Sequence, residues 1–232
     1  EYTFVNVTSD HTIHVTFSRS PVALWHFDEG SGPYAGDSSG NGYDGTIYGA
    51  TWTDQVAPKD GGTAALSFDG VNDWVDIPDN LSPAHITIEA WIYPTGVYDV
   101  GDHGSPIITK ETGRGTPPWS ESFAWRLRIS PQDHKLQLQC FTDTGAGGGN
   151  VSSDTALEME RWYHVAGTYD GQNTRVYIDG QLAGSYTASV SEPLVTTSLP
   201  TAIGHLQNWS VQWFQGTIDE LKVYDYARSP SQ

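Results

Sequence analysis

Two glycine-rich stretches carry the residues best suited to holding a cation. Asp28-Glu-Gly-Ser-Gly offers a carboxylate followed by flexible carbonyls, and Asp37-Ser-Ser-Gly-Asn-Gly sets Asp37 and Asn41 in one tight loop. Calcium takes about six to eight oxygen ligands from carboxylates, amide side chains and backbone carbonyls. Asp28, the Gly30 carbonyl, Asp37 and Asn41 are therefore candidate calcium donors. The competing account is that these side chains only cap turns by bonding nearby backbone, and spacing alone favours it. No EF-hand spacing occurs. The histidines show no close pairing beyond His11 and His14, which speaks against zinc.

A second group of residues has the chemistry to hold a sugar. Sugar rings stack their C–H faces on aromatic side chains, while amides, carboxylates and guanidinium groups take the hydroxyls. Trp119 lies among Pro, Ser and Glu. Trp209 and Trp213 lie in Leu206-Gln-Asn-Trp-Ser-Val-Gln-Trp-Phe, and Tyr98 opens another polar stretch. These four form a candidate platform, with Gln207, Asn208, Arg126 and Arg128 as polar partners. Filling gaps beneath long loops is the alternative use for them. Trp25, Phe27, Phe68, Trp91, Trp162, Tyr169 and Tyr177 fall in strand patterns and are expected in the core.

The elements that must position these residues are β-strands. Ile86, Ile88, Ala90 and Ile92 alternate with Thr87, Glu89 and Trp91, which marks a strand over 86–92. Comparable runs occupy 2–7, 12–17, 23–27, 64–68, 74–77, 106–110, 123–129, 136–141, 162–169, 174–178, 181–186 and 216–224. Asp69-Gly-Val-Asn-Asp, Asp170-Gly-Gln-Asn and Asp179-Gly read as hairpin turns. Residues 28–45 are too polar and glycine-rich for regular structure. Only 156–161 looks helical, and it is too short to stand alone. Strand after strand with almost no helix implies an all-β fold, a two-sheet antiparallel sandwich. A composition break near Ser18-Arg-Ser-Pro separates residues 1–20 from a main domain over 21–232. The first part reads as the terminal strands of a preceding β-repeat or a linker.

Length and composition agree with this division. The 232 residues suit one large all-β domain, and nine Trp and twelve Tyr can fill a core without covalent staples. The 28 acidic and 11 basic residues leave a formal charge of −17, which repels phosphate and excludes nucleic acid as a partner. There is no polybasic membrane anchor, and no apolar run approaches the roughly 20 residues of a membrane span. Cys140 is the single cysteine, so no disulfide forms within the chain and no cysteine cluster binds metal. The chain begins at Glu1 without a signal peptide and is read as a piece of a longer protein. Few Lys and abundant Asp, Gly, Tyr and Trp suit an extracellular or cell-surface location. Asn6, Asn80, Asn150 and Asn208 each begin an Asn-x-Ser/Thr triplet.

Several segments, taken in order, carry a family pattern. They are Ala23-Leu-Trp-His-Phe-Asp-Glu-Gly-Ser-Gly, Asp37-Ser-Ser-Gly-Asn-Gly-Tyr-Asp-Gly-Thr and Ala65-Leu-Ser-Phe-Asp-Gly-Val-Asn-Asp-Trp-Val. Thr87-Ile-Glu-Ala-Trp-Ile-Tyr-Pro, Arg161-Trp-Tyr-His-Val-Ala-Gly-Thr-Tyr-Asp-Gly, Val176-Tyr-Ile-Asp-Gly-Gln-Leu and Phe214-Gln-Gly-Thr-Ile-Asp-Glu-Leu-Lys-Val-Tyr follow. Over about residues 22–228 the chain resembles laminin-G-like domains of the concanavalin A-like lectin/glucanase superfamily. The resemblance implies a jelly-roll sandwich of two curved sheets, often with a structural calcium ion. It also implies that the glycine-rich loops meet the carboxyl end of the chain, which adds Asp219 to the calcium donors.

Because that superfamily includes glycosidases, an enzyme has to be considered. A retaining glycosidase needs two carboxyl groups about 5–5.5 Å apart. Asp219 and Glu220 are adjacent on a strand and are expected on opposite faces, and Glu89 stands alone among apolar residues. No Gly-x-Ser-x-Gly motif is present. Arg126 and Arg128 share a face, yet no lyase motif stands out. The expected function is thus a non-catalytic extracellular module, stabilised by calcium, that binds carbohydrate or a surface glycoprotein and sits as a monomer in a larger protein. A structural or adhesive protein-binding spacer is the alternative, followed by a polysaccharide-degrading lyase or glycosidase.

Overall fold

Alternating apolar and polar positions set the strands of the computed structural model, which describes residues 19–59, 61–78, 81–97, 104–111, 123–145, 148–206 and 212–229. The expected strands over 2–7 and 12–17 lie outside these residues. The first eight strands are β1 (Ala23–Trp25), β2 (Tyr34–Ala35), β3 (Gly45–Tyr48), β4 (Thr51–Thr53), β5 (Ala65–Asp69), β6 (Trp74–Ile77), β7 (Ile86–Gly96) and β8 (Ser105–Glu111). They are followed by β9 (Phe123–Ile129), β10 (Lys135–Cys140), β11 (Gly149–Ala156), β12 (Tyr163–Tyr169), β13 (Asn173–Ile178), β14 (Gln181–Thr187), β15 (Thr201–Ile203) and β16 (Gln215–Tyr224). No helix occurs among the described residues, so none is long and apolar enough to cross a membrane.

The strands form two antiparallel sheets. The first runs β14-β13-β12-β7-β16-β5-β4, with β1 also paired to β16, and the second runs β11-β10-β9-β8-β15-β6-β3-β2. This is the two-sheet jelly-roll sandwich that the strand pattern implies. The inward residues of the first sheet include Leu66, Phe68, Ile88, Ile92, Val165, Ile218, Leu221 and Val223. Those of the second include Val75, Ile77, Ile108, Leu127, Leu138 and Ile203, and all join one buried cluster with Trp25, Phe27, Trp125, Tyr169 and Phe214. Cys140 is buried in the same cluster at the end of β10. Fully burying each such side chain contributes about 1.5–3 kcal/mol.

Three local expectations need correction. Strands β5 and β6 do not form a hairpin; they lie in opposite sheets, and the segment between them crosses the sandwich edge. Both alternate correctly, but two strands that face one core from either side show the same pattern as two neighbours. The helical reading of 156–161 fails, because Gly149–Ala156 is a strand paired with β10 and Glu160 then takes φ 60°. Trp91, Trp162 and Tyr177 are half-buried outside the core cluster, on the outer face of the first sheet. Strands β2, β3, β4, β11 and β15 were invisible because they are short or polar and owe their form to their neighbours. The turn at Asp179-Gly180, with φ 50° and 75°, does form the expected tight hairpin between β13 and β14.

Candidate functional site

Strand β16 builds one cluster of charged groups. Its residues Ile218 and Leu221 are both fully buried in the core, so two residues rather than one separate them. Pairing with β7 shifts register between Asp219 and Lys222, and Glu220 takes φ 50°. This is a β-bulge, and it turns Asp219 and Glu220 to the same outer face. The expectation that they point opposite ways fails because the bulge adds a residue that simple alternation does not count. Both then meet the segment after β4: the Ala57 amide donates to Asp219 Oδ2 at 2.9 Å, and Lys59 Nζ donates to Glu220 Oε1 at 2.6 Å.

His26 and Asp28 reach the same place from the end of β1. Between them Phe27 is fully buried at φ 58°, a conformation that a bulky residue holds only under strong packing. A His26 ring nitrogen, an Asp28 oxygen and a Glu220 oxygen all lie within 4.8 Å of one another. His26 hydrogen-bonds Glu220, and Lys222 Nζ stands 3.2 Å from Glu220 Oε2. Burial pushes the Glu220 carboxyl pKa up, but hydrogen bonds from Lys59 and His26 outweigh it and hold the value below normal. Asp219 goes the other way. Burial dominates and raises its pKa, and its Oδ1 is buried without a hydrogen-bond partner. Burial also opposes ionisation of Asp28, yet the Thr63 and Ala64 amides, at 2.7 and 3.3 Å from Oδ1, lower its pKa.

Of the expected calcium donors, Asp28 lies with His26 and Glu220, and Asp219 precedes Glu220 on β16. The Asp28 and Glu220 carboxylates, with the unpartnered Asp219 oxygen on the same strand as Glu220, are hard donors of the kind calcium takes. Lys59 stands among them as the chain's own cation. Asp37 and Asn41 are used differently. Asp37 accepts from the Leu24, Ser39 and Tyr43 amides and the Ser39 hydroxyl, and Asn41 Nδ2 donates to the Val22 carbonyl at 3.0 Å. Both tie their own loop to the edge of β1. Gly30 sits at φ 63° on the exposed stretch after Asp28.

The second sheet presents a different surface. One register row crosses it through Tyr34, Thr46, Asp76, Ala202, Thr109, Arg126, Gln139 and Asn150. These positions alternate with the core residues, so the row lies on the outer face. Beside it runs a line of rings. Tyr48 stacks on Trp74 at 4.7 Å and 15°, Trp74 meets the His205 edge at 5.8 Å, and His205 stacks on Trp213 at 3.6 Å and 9°. A single bridge pairs His205 with Trp213, and His205 Nδ1 donates to the Gln212 carbonyl at 2.9 Å. Burial pushes the His205 pKa down to about 4, so the imidazole is neutral at neutral pH. Gly204, at φ 79°, makes the turn that delivers His205, and a Cβ there would lie 2.5 Å from the Phe68 ring.

Towards β11 the face is more tightly knit. Arg126 hydrogen-bonds Gln139 and pairs with the buried Glu111 at 3.1 Å, while Arg128 Nε donates to Gln137 at 2.6 Å. Burial raises the Glu111 pKa, against the pull of Arg126 and Arg128. Gln139, Asn150, Phe141 and Tyr186 line a hollow of ≈ 410 Å³ beyond them. Of the expected platform, Trp213, Arg126 and Arg128 thus share this face, whereas Tyr98, Trp119, Asn208 and Trp209, with Gln207, lie outside the described residues. Sequence reasoning missed Trp74, Tyr48 and His205. Trp74 had a readable signal, since it holds an outward position in Trp74-Val75-Asp76-Ile77. His205 had none, because its place depends on a bridge to another loop.

Known proteins share this architecture. Domain 4 of AbnA, an extracellular arabinanase from Geobacillus stearothermophilus solved with arabinotriose, is 24% identical with a TM-score of 0.65, over 92% of this chain and 96% of that one. The ligand-binding domain of botulinum neurotoxin serotype D, solved with N-acetylneuraminic acid, is 14% identical with a TM-score of 0.62, and the chain covers 49% of it. Trypanosoma rangeli sialidase, solved with sialic acid, is 15% identical with a TM-score of 0.59, and the chain covers 31% of it. At these identities the likeness shows the fold alone. No curated protein sequence matches the chain. A laminin G-type family model, described as the concanavalin A-like lectin/glucanases superfamily, matches residues 68–232, well over half the length, and the chain belongs to that superfamily.

Proposed function

We propose that this chain is a non-catalytic carbohydrate-binding module, secreted or displayed at the cell surface within a larger protein and stabilised by calcium. One observation carries the reading: Tyr48, Trp74, His205 and Trp213 form a continuous line of rings beside a polar row on an outer sheet face. The ring faces and edges that these stacks leave open, that of the exposed Tyr48 first, take the C–H face of a sugar, and Thr46 and Asp76 stand beside them for its hydroxyls. A neutral glycan suits this face better than an acidic one. The net charge of −17 repels anions, and Arg126 is committed to Glu111 and Gln139. The arabinotriose in the similar arabinanase domain favours the same choice. The adjacent carboxylates Asp219 and Glu220 lie on the other sheet and are engaged by Ala57, Lys59 and His26, so they do not flank a sugar on the ring line.

Calcium bound at the corner would cross-link β1 to β16 and neutralise their carboxylates. Asp28 and Glu220 would hold it, with Asp219 as a neighbouring donor on β16, and the Lys59 ammonium and the His26 ring would have to give up Glu220.

Migration through gels containing arabinan, xylan, galactan or polygalacturonate, with calcium present, tests the binding claim. A neutral polysaccharide should retard the protein. Trp74→Ala should weaken the interaction at least about tenfold, or about 1.4 kcal/mol, with the melting temperature nearly unchanged. Absence of retardation across the whole panel would overturn the reading.

A further inference from the structure

A cavity on the outer face of the first sheet is used by neither the ring line nor the acidic corner. It measures ≈ 220 Å³ and lies where β7, β12 and β13 meet the C-terminal segment at Arg228. Thr87 and Glu89 face it from β7, His164 and Thr168 from β12, and Tyr177 from β13. Drug-sized ligands occupy about 300–1,000 Å³, so this space suits one small ring.

The lining is charge-balanced and rich in hydroxyl-recognising groups. Glu89 pairs with Arg228, which also meets the Tyr224 hydroxyl at 3.0 Å, so no net charge invites an ion. His164 Nε2 lies 3.9 Å from Glu89 Oε2, with Trp91 edge-on to the imidazole at 5.4 Å. Burial holds the His164 pKa below its usual value, so at neutral pH the ring offers one N–H donor and one bare nitrogen. The Thr168 hydroxyl is buried to 2% exposure and has no hydrogen-bond partner. A buried polar atom without a partner in a native fold calls for an explanation, such as a bound group. The Tyr177 ring and Ala166 add apolar surface to the same walls. Alternating donors and acceptors over an apolar wall match a ring with vicinal hydroxyls.

We propose that this cavity binds a single neutral monosaccharide, separately from the ring line on the opposite sheet. The two sites would let one module hold a polysaccharide chain on one face and a lone sugar residue on the other.

Calorimetry and saturation-transfer NMR with free glucose, galactose, mannose, arabinose and xylose test the proposal. At least one sugar should bind saturably and shift the His164 ring resonances of the unmodified protein. Thr168→Val should weaken that sugar about tenfold, the effect of one lost hydrogen bond, without lowering the melting temperature. The proposal is overturned if no monosaccharide saturates or if the His164 resonances do not move. It is also overturned if binding disappears in Trp74→Ala yet persists in Thr168→Val. Polysaccharide retardation without monosaccharide binding would leave the ring line standing and remove this cavity alone.

Discussion

His205 shows how one residue can depend on its surroundings for its chemistry. It sits between two indoles, and burial pushes its pKa down to about 4. In the unfolded chain an imidazole titrates near 6.5. Between those values the unfolded state binds the extra proton, so stability rises with pH across the window and is lost as pH falls from about 6.5 to 4. The loss is on the order of 3 kcal/mol, or several degrees of melting temperature in a chain of this size. Thermal scans across that range should show the decline, and His205→Gln should flatten it. An unchanged slope in the variant would assign the decline to other groups. The lowered Glu220 pKa has a separate window. Its contribution is present above the ordinary glutamate value and is lost only as pH falls through the folded value.

Elements decide which residues can act together. Period-two alternation in the sequence sufficed to find β7, β9, β12 and β16, and to put Arg126 and Arg128 on one face. It could not reveal the bulge in β16, because an added residue leaves no mark in the pattern. Nor could it bring Lys59 to Glu220, which lies 161 residues away. That β16, which carries Asp219, meets the segment carrying Asp28 was legible only through the family resemblance. The turn before His205 depends on Gly204 in the same way that the acidic corner depends on the bulge. Gly204→Ala would require a strained φ of 79° and place Cβ against the Phe68 ring. It should destabilise the fold by about 1–3 kcal/mol and weaken glycan binding together with it. Denaturant unfolding and gel retardation on the same variant check both effects; an affinity unchanged despite lost stability would detach His205 from the platform.

At the scale of the molecule, the acidic corner joins the first strand of the sandwich to its last. A ligand that binds only the folded state stabilises by mass action, by about 2.7 kcal/mol at a hundredfold excess over Kd. Chelation with EDTA should therefore lower the melting temperature by roughly 5–10 °C, and Asp219→Asn should abolish that difference. Lys59→Met should make the protein more dependent on calcium, because it removes the internal cation that balances Glu220. Identical melting curves with EDTA and with calcium would overturn the calcium claim and leave the chain's own groups, Lys59, Lys222 and His26, to balance Glu220.

The buried Cys140 gives the molecule a clock. Burial raises its thiol pKa far above normal, so neither thiolate nor access is available while β10 stays packed. A thiol-specific reagent can react only during brief excursions that part β10 from β9 or β11. Its rate under native conditions therefore counts how often the far end of the second sheet opens. A sugar bridging Gln139 and Asn150 across those strands should slow the count, turning a residue with no chemical duty into a gauge of occupancy.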